Sequence, residues 1–154
     1  MKSEQDLGRL SKIVAAVDLS IHSKFVMEKA SILSAAFNSD LYIVSVVKMP
    51  KLAAEENEIL MSEIKEEENE LIRHHKMLIE KYFMSTNLLV ESKVLHGDPA
   101  SKICDFAESV SADLIIIANT GKSGIKRVFL GSTSEAVSHN APCSVMIVKR
   151  RKTI

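Results

Sequence analysis

Five short apolar runs, the first four each followed by a segment long enough to form a helix, constrain this chain more than any other feature. They are KIVAAV (12–17), LYIVSVV (41–47), NLLVESKVL (87–95), DLIIIA (113–118) and CSVMIVK (143–149). Runs of this length and aliphatic content suit buried strands. Between the first two, Val26, Ala30, Leu33 and Phe37 recur at helical spacing within Ser23 to Phe37. Asp18 and Ser20, just before that segment, are residue types that cap helix N-termini. The long charged segment from Glu55 to Tyr82 places Leu60, Ile64, Leu71, Leu78 and Tyr82 on one face. That pattern predicts an amphipathic helix packed on a sheet rather than a coiled-coil partner. Pro99 suits the first turn of a third helix behind an Asp98 cap, with Ile103, Phe106, Ala107 and Val110 as its stripe. A fourth helix is expected from Ser132 to His139.

Strands alternating with helices predict an α/β fold, a parallel sheet joined by right-handed crossovers. The third strand follows the long helix and should lie beyond the second. By analogy with doubly wound sheets, the five strands then take the order 3-2-1-4-5. Such a sheet binds ligands outside the carboxyl ends of its strands, where the winding reverses. Here those ends are Asp18 and the stretch that begins at Ala118, a hundred residues apart in sequence.

The 154 residues suit one domain, 11–150, between short tails at 1–10 and 151–154. Twenty basic and twenty acidic side chains cancel, so no overall field favours nucleic acid or an anionic membrane. No apolar run approaches the ~18 residues of a membrane span, and the first ten residues lack a signal-like apolar core. Cys104 and Cys143 are far apart, which suits a reducing compartment. A cytoplasmic protein is expected.

The stretch ANTGKSGIKRVFLGST (118–133) is the candidate site. Its GKS imitates the tail of a P-loop, but the glycine that motif requires five residues upstream is Ile116. A dinucleotide fingerprint is also missing, because AAVDLSIHS follows the first strand. What does stand out is Gly121, nine residues, Gly131 and then Ser132. This resembles the G-x2-G-x9-G-[ST] pattern of the nucleotide-binding branch of the universal stress proteins. VDLSIHS, VLHGDPASKICDFAESVSADLIIIA and LGSTSEAVSHNAPCSVMIVK resemble further parts of that family, so the likeness covers nearly the whole chain. The departure is Ala118, which stands where the pattern has its first glycine. Should that position require a positive φ, alanine costs roughly 1 kcal/mol or more; should it require only closeness to a ligand, one methyl is tolerable.

Glycines let backbone N–H groups approach an anion, and a helix N-terminus adds unpaired amides and a positive dipole end. Gly131, Ser132, Thr133 and Ser134 are therefore expected at the phosphates, with Gly121 and Lys122 covering them from the other side. Lys126 and Arg127 are weaker candidates, more simply read as solvated. The resemblance implies a Rossmann-like fold of the universal stress protein and adenine nucleotide alpha hydrolase type. It implies that Ala16, Val17 and Asp18 line the adenine and ribose end, and that Val46 contacts adenine. The expected ligand is ATP, ADP or AMP, with Mg2+ held through the phosphates rather than in a protein cage. The resemblance also implies a homodimer joined through the last strand, Cys143 to Lys149, serving as a regulatory stress-response module with little or no catalysis. A nucleotide hydrolase or phosphotransferase, or a dimeric scaffold without nucleotide, are the alternatives. His74 and His75 point to different sides of a helix and make no metal pair, and Glu70 with His74 reads as a surface pair. His22, His96 and His139 are scattered, and no general base for attack on a phosphate is evident.

Overall fold

Each apolar run forms a strand, and a helix follows each of the first four. The computed structural model describes residues 9–50, 57–119 and 130–150. The elements are β1 (Lys12–Ala16), α1 (Ser23–Phe37), β2 (Asp40–Val47), α2 (Glu58–Phe83), β3 (Val90–His96), α3 (Pro99–Ser109), β4 (Leu114–Ala118), α4 (Ser132–Asn140) and β5 (Ser144–Val148). All strand pairs are parallel, in the expected order β3-β2-β1-β4-β5.

Strand alternation assigns the two faces. Ile13, Ala15 and Val17 pack with Val26, Met27 and Ala30 of α1 and with Leu78 and Phe83 of α2. Val14 and Ala16 join Ile103, Cys104 and Ala107 of α3 and Val137 of α4. Both faces of the central strands are covered, which is why those strands read as unbroken aliphatic runs. Asp113 fixes the start of the two central strands: its Oδ2 accepts the N–H groups of Ser11 and Lys12, each at 2.9 Å.

Several boundaries differ from expectation. The long helix starts at Glu58, because Asn57 is extended and its side chain accepts the Leu60 N–H at 3.2 Å; Glu55 lies outside the described residues. Neither Asp18 nor Ser20 caps α1. The N-cap is His22, because Asp18 and Ser20 are used in the turn before it. Asp98 does cap α3, accepting the Ser101 N–H at 3.0 Å. β3 begins at Val90 rather than Asn87, and β5 spans Ser144–Val148, shorter by one residue at each end.

Candidate functional site

The crossovers from β1 to β2 and from β4 to β5 lie on opposite sides, so the carboxyl ends of these neighbouring strands part, and no connection among the described residues covers them. A crevice of about 450 Å³ opens there. Ala16, Val17 and Asp18 reach it from the end of β1, Val46 from β2, Ala118 from the end of β4, and Gly131, Ser132, Thr133 and Ser134 from the start of α4. Nine residues expected to form one site thus share one cavity. Gly121, Lys122, Lys126 and Arg127 lie outside the described residues.

At the strand end, the β1–β2 ladder frays in a specific way. The Val17 N–H donates to the Val44 carbonyl at 2.9 Å, continuing the parallel register one residue beyond β1. The next bond of a parallel ladder would run from the Val46 N–H to the Val17 carbonyl. That carbonyl instead accepts the Ser45 hydroxyl at 2.6 Å. Val46 follows the same side of β2 as Tyr42 and Val44, so its N–H and C=O face the space beyond β1. No backbone partner takes them among the described residues. A donor and an acceptor therefore stand side by side at the crevice wall.

Asp18 leads the chain out of β1 into a tight turn. Its Oδ1 accepts the Ser20 N–H at 2.8 Å, and its backbone N–H donates to Ser23 Oγ at 3.0 Å. The buried Ser23 hydroxyl in turn donates to the Asp18 carbonyl at 2.6 Å. The aspartate is held at the crevice by its own turn together with Ser23, the first residue of α1.

At the helix end, Gly131 is the N-cap of α4 and no side chain caps it. The first-turn amides have no side-chain acceptor among the described residues. The Gly131 N–H donates to the Asn119 carbonyl at 2.8 Å, and Ser134 Oγ reaches the same carbonyl at 3.1 Å, so the end of β4 is tied to the start of α4. Ser134 is buried, its hydroxyl also donates to the Gly131 carbonyl at 3.0 Å, and the residue lines the crevice. Ala118 is in strand conformation; Asn38 and Ser111 are the described non-glycine residues with positive φ. The methyl group is therefore unstrained, and its consequence is confined to the space it takes.

The sequence does not single out Ser45, and it presents His75 only as half of a metal pair with His74 that helix geometry rules out. Ser45 also lines the crevice, and its hydroxyl lies 2.7 Å from Nε2 of His75, which is 1% exposed on the inner face of α2. Burial, followed by the neighbouring His74, pushes the His75 pKa down to about 4. The ring is neutral near pH 7. Because the Ser45 proton is committed to Val17, the ring must donate from Nε2, and Nδ1 is left buried without a partner among the described residues. Burial also lowers the His74 pKa, against the Asp18 charge and a hydrogen bond with the Asp18 backbone. Two signals could have revealed this pair. Ser45 is the single small polar residue inside LYIVSVV, and His75 falls four residues after Leu71 on the apolar face of α2. Lys48 and Glu67 also line the crevice and were not anticipated. Among the described residues no cluster of His, Cys, Asp and Glu could hold a metal ion, and no helix is long and apolar enough to cross a membrane.

A doubly wound parallel sheet with a crevice at its reversal defines a Rossmann-like α/β domain. Residues 10–149 match the universal stress protein family, and the chain belongs to that family. A universal stress protein of Methanocaldococcus jannaschii is 36% identical over 145 residues, 92% of this chain and 83% of that protein. The structure of the universal stress protein UspA from Lactobacillus plantarum superposes with a TM-score of 0.84 at 22% identity, covering 92% of this chain and 99% of that one. Two further neighbours of this fold were solved with nucleotides. One, from Archaeoglobus fulgidus, is in complex with dAMP, with a TM-score of 0.65 at 22% identity over 92% of this chain and 99% of that one. The other is in complex with cAMP, with a TM-score of 0.64 at 22% identity over 92% and 98% of the two chains.

Proposed function

We propose that the crevice binds an adenine nucleotide, ATP, ADP or AMP, and that the chain is a regulatory module with little or no catalysis. The observation that carries this reading is the polarity of the crevice. Its strand end offers the Val46 donor–acceptor pair among apolar walls, Ala16, Val17 and Val44; its helix end offers the uncapped amides of α4. An adenine edge carries a donor and an acceptor that complement Val46, and phosphates suit a helix N-terminus. Asp18 then serves the ribose, with Oδ1 held by Ser20 and Oδ2 toward a hydroxyl. Ser132 and Thr133 serve the phosphates; the family pattern alone assigns Gly121 and Lys122 there, and Mg2+ would be held through the phosphates rather than by protein ligands. The complexes of two fold neighbours with dAMP and cAMP support an adenine nucleotide as the class of ligand.

The proposal includes a homodimer through β5. The two sheet edges differ in kind: β3 presents Glu91, Ser92 and Lys93 to solvent, whereas β5 carries Val145, Met146 and Ile147, all half-buried. Charged residues blunt an edge against pairing, and an apolar edge invites it. Sedimentation should give a dimer at micromolar concentration; a monomer removes that part of the reading.

The nucleotide is tested by denaturing the purified protein and identifying what it releases. If it emerges empty, thermal unfolding is titrated with ATP, ADP and AMP, with and without magnesium. Ligand at a hundred times its dissociation constant adds about 2.7 kcal/mol of stability. No released nucleotide and no shift with any of the three overturns the assignment. Multiple-turnover phosphate release would replace the regulatory module with an enzyme.

A further inference from the structure

We propose that Ser45 and His75 are positioning residues: by taking the Val17 carbonyl out of the β1–β2 ladder, they keep the Val46 peptide edge open to the ligand. The inference deepens the adenine-nucleotide reading and rests on it for the identity of the ligand.

The ladder supplies the argument. With the Val17 N–H on the Val44 carbonyl, the partner in register for the Val17 carbonyl is the Val46 N–H. Closing that bond would use up the donor that faces the crevice. Ser45 lies one residue earlier, with its side chain on the α2 face, and its hydroxyl captures the carbonyl at 2.6 Å. A free serine hydroxyl rotates, and its proton has other uses. His75 removes that freedom, because an Nε2–H donor at 2.7 Å occupies a lone pair of the hydroxyl and leaves its proton to Val17. Burial holds the imidazole neutral near pH 7, as a single-donor ring requires. Leu71, one turn earlier on α2, lines the same crevice, so the helix that carries His75 is seated at the site.

The test uses the full chain and two readouts. The first needs no ligand: amide hydrogen exchange at Val46, followed by NMR. In the wild-type protein the Val46 amide should exchange at least tenfold faster than the laddered Val44 amide. In the double variant S45A/H75L, which leaves neither polar partner stranded, the Val46 amide should slow at least tenfold as the ladder closes. The second readout is the ratio of the dissociation constants for AMP and IMP, whose base edges present opposite donor–acceptor patterns. Wild type should prefer AMP, S45A/H75L should lose most of that preference, and S45T, which keeps the hydroxyl, should retain it. General destabilisation would weaken both ligands together and leave the ratio intact. An unchanged Val46 exchange rate in the double variant, or an unchanged AMP-to-IMP ratio, overturns the proposal. A wild-type chain that binds neither nucleotide while Val46 exchange behaves as expected overturns the nucleotide reading and leaves the ladder device standing.

Discussion

At the strand end of the crevice, the polar groups are held by a buried chain of side-chain bonds from His75 through Ser45 to Val17, with Asp18 fixed by its own turn. At the helix end they are the first-turn amides of α4, which no side chain caps. The strand end is thus specified by particular, largely buried side chains, and the helix end by backbone geometry. The difference teaches that the two ends should fail differently. Substitution at the strand end changes which base is read and how stable the fold is, whereas substitution at the helix end changes how strongly phosphates are held.

The largest expected effect lies at the strand end and depends on pH. His75 has a folded pKa of about 4 against an unfolded value near 6.5. The unfolded chain therefore binds the proton first as pH falls. Stability is fully present above pH 6.5 and declines toward pH 4, by about 3 kcal/mol from this group. The lowered pKa of His74 acts in the same direction. Urea unfolding at pH 7 and pH 4 should show H75Q losing about 3 kcal/mol less than wild type across that interval. Equal acid sensitivity in the two proteins would move the strain away from His75.

Next in size is the helix end. S132D places a carboxylate where phosphates are expected, and should weaken ATP about a hundredfold, or about 2.7 kcal/mol, while leaving adenosine within about threefold. The same substitution should raise stability by a few tenths of a kcal/mol, because an acidic side chain suits a helix N-terminus. Opposite signs in calorimetric binding and in unfolding identify the amides of α4 as the anion site. A loss shared equally by adenosine and ATP would erase the distinction between the ends.

A smaller effect belongs to Asp18. D18N keeps an acceptor for the Ser20 N–H but loses the charge, and should cost adenosine and ATP alike about tenfold, or about 1.4 kcal/mol. Smallest is A118G, which restores the glycine of the family pattern. Because Ala118 is in unstrained strand conformation, no strain is released. The change should cost up to about 1 kcal/mol of stability through backbone freedom and alter nucleotide affinity less than threefold.

The same contrast explains what could be read from the sequence. The alternation of elements and the glycine-led start of α4 follow from local signals, aliphatic runs, helical spacing and a glycine followed by Ser132, while the strand order and the crevice position add an analogy with doubly wound sheets. The ladder rearrangement at Val17 does not. It requires a hydroxyl on β2 to meet an imidazole thirty residues away, and only the packing of α2 brings them together. The misassigned cap of α1 has a similar origin, since Asp18 and Ser20 are valid cap types until the turn between them takes their acceptors. Ala118 raised a question about φ that only the backbone could answer.

The central claim is that one crevice reads a base at its strand end and phosphates at its helix end. A single calorimetric series with adenosine, AMP, ADP and ATP, at constant magnesium, tests it most directly. The account predicts measurable binding of adenosine and successive tightening as phosphates are added, with the gain from adenosine to ATP lost in S132D. Equal affinities across the series, or the same phosphate gain in S132D as in wild type, would contradict it.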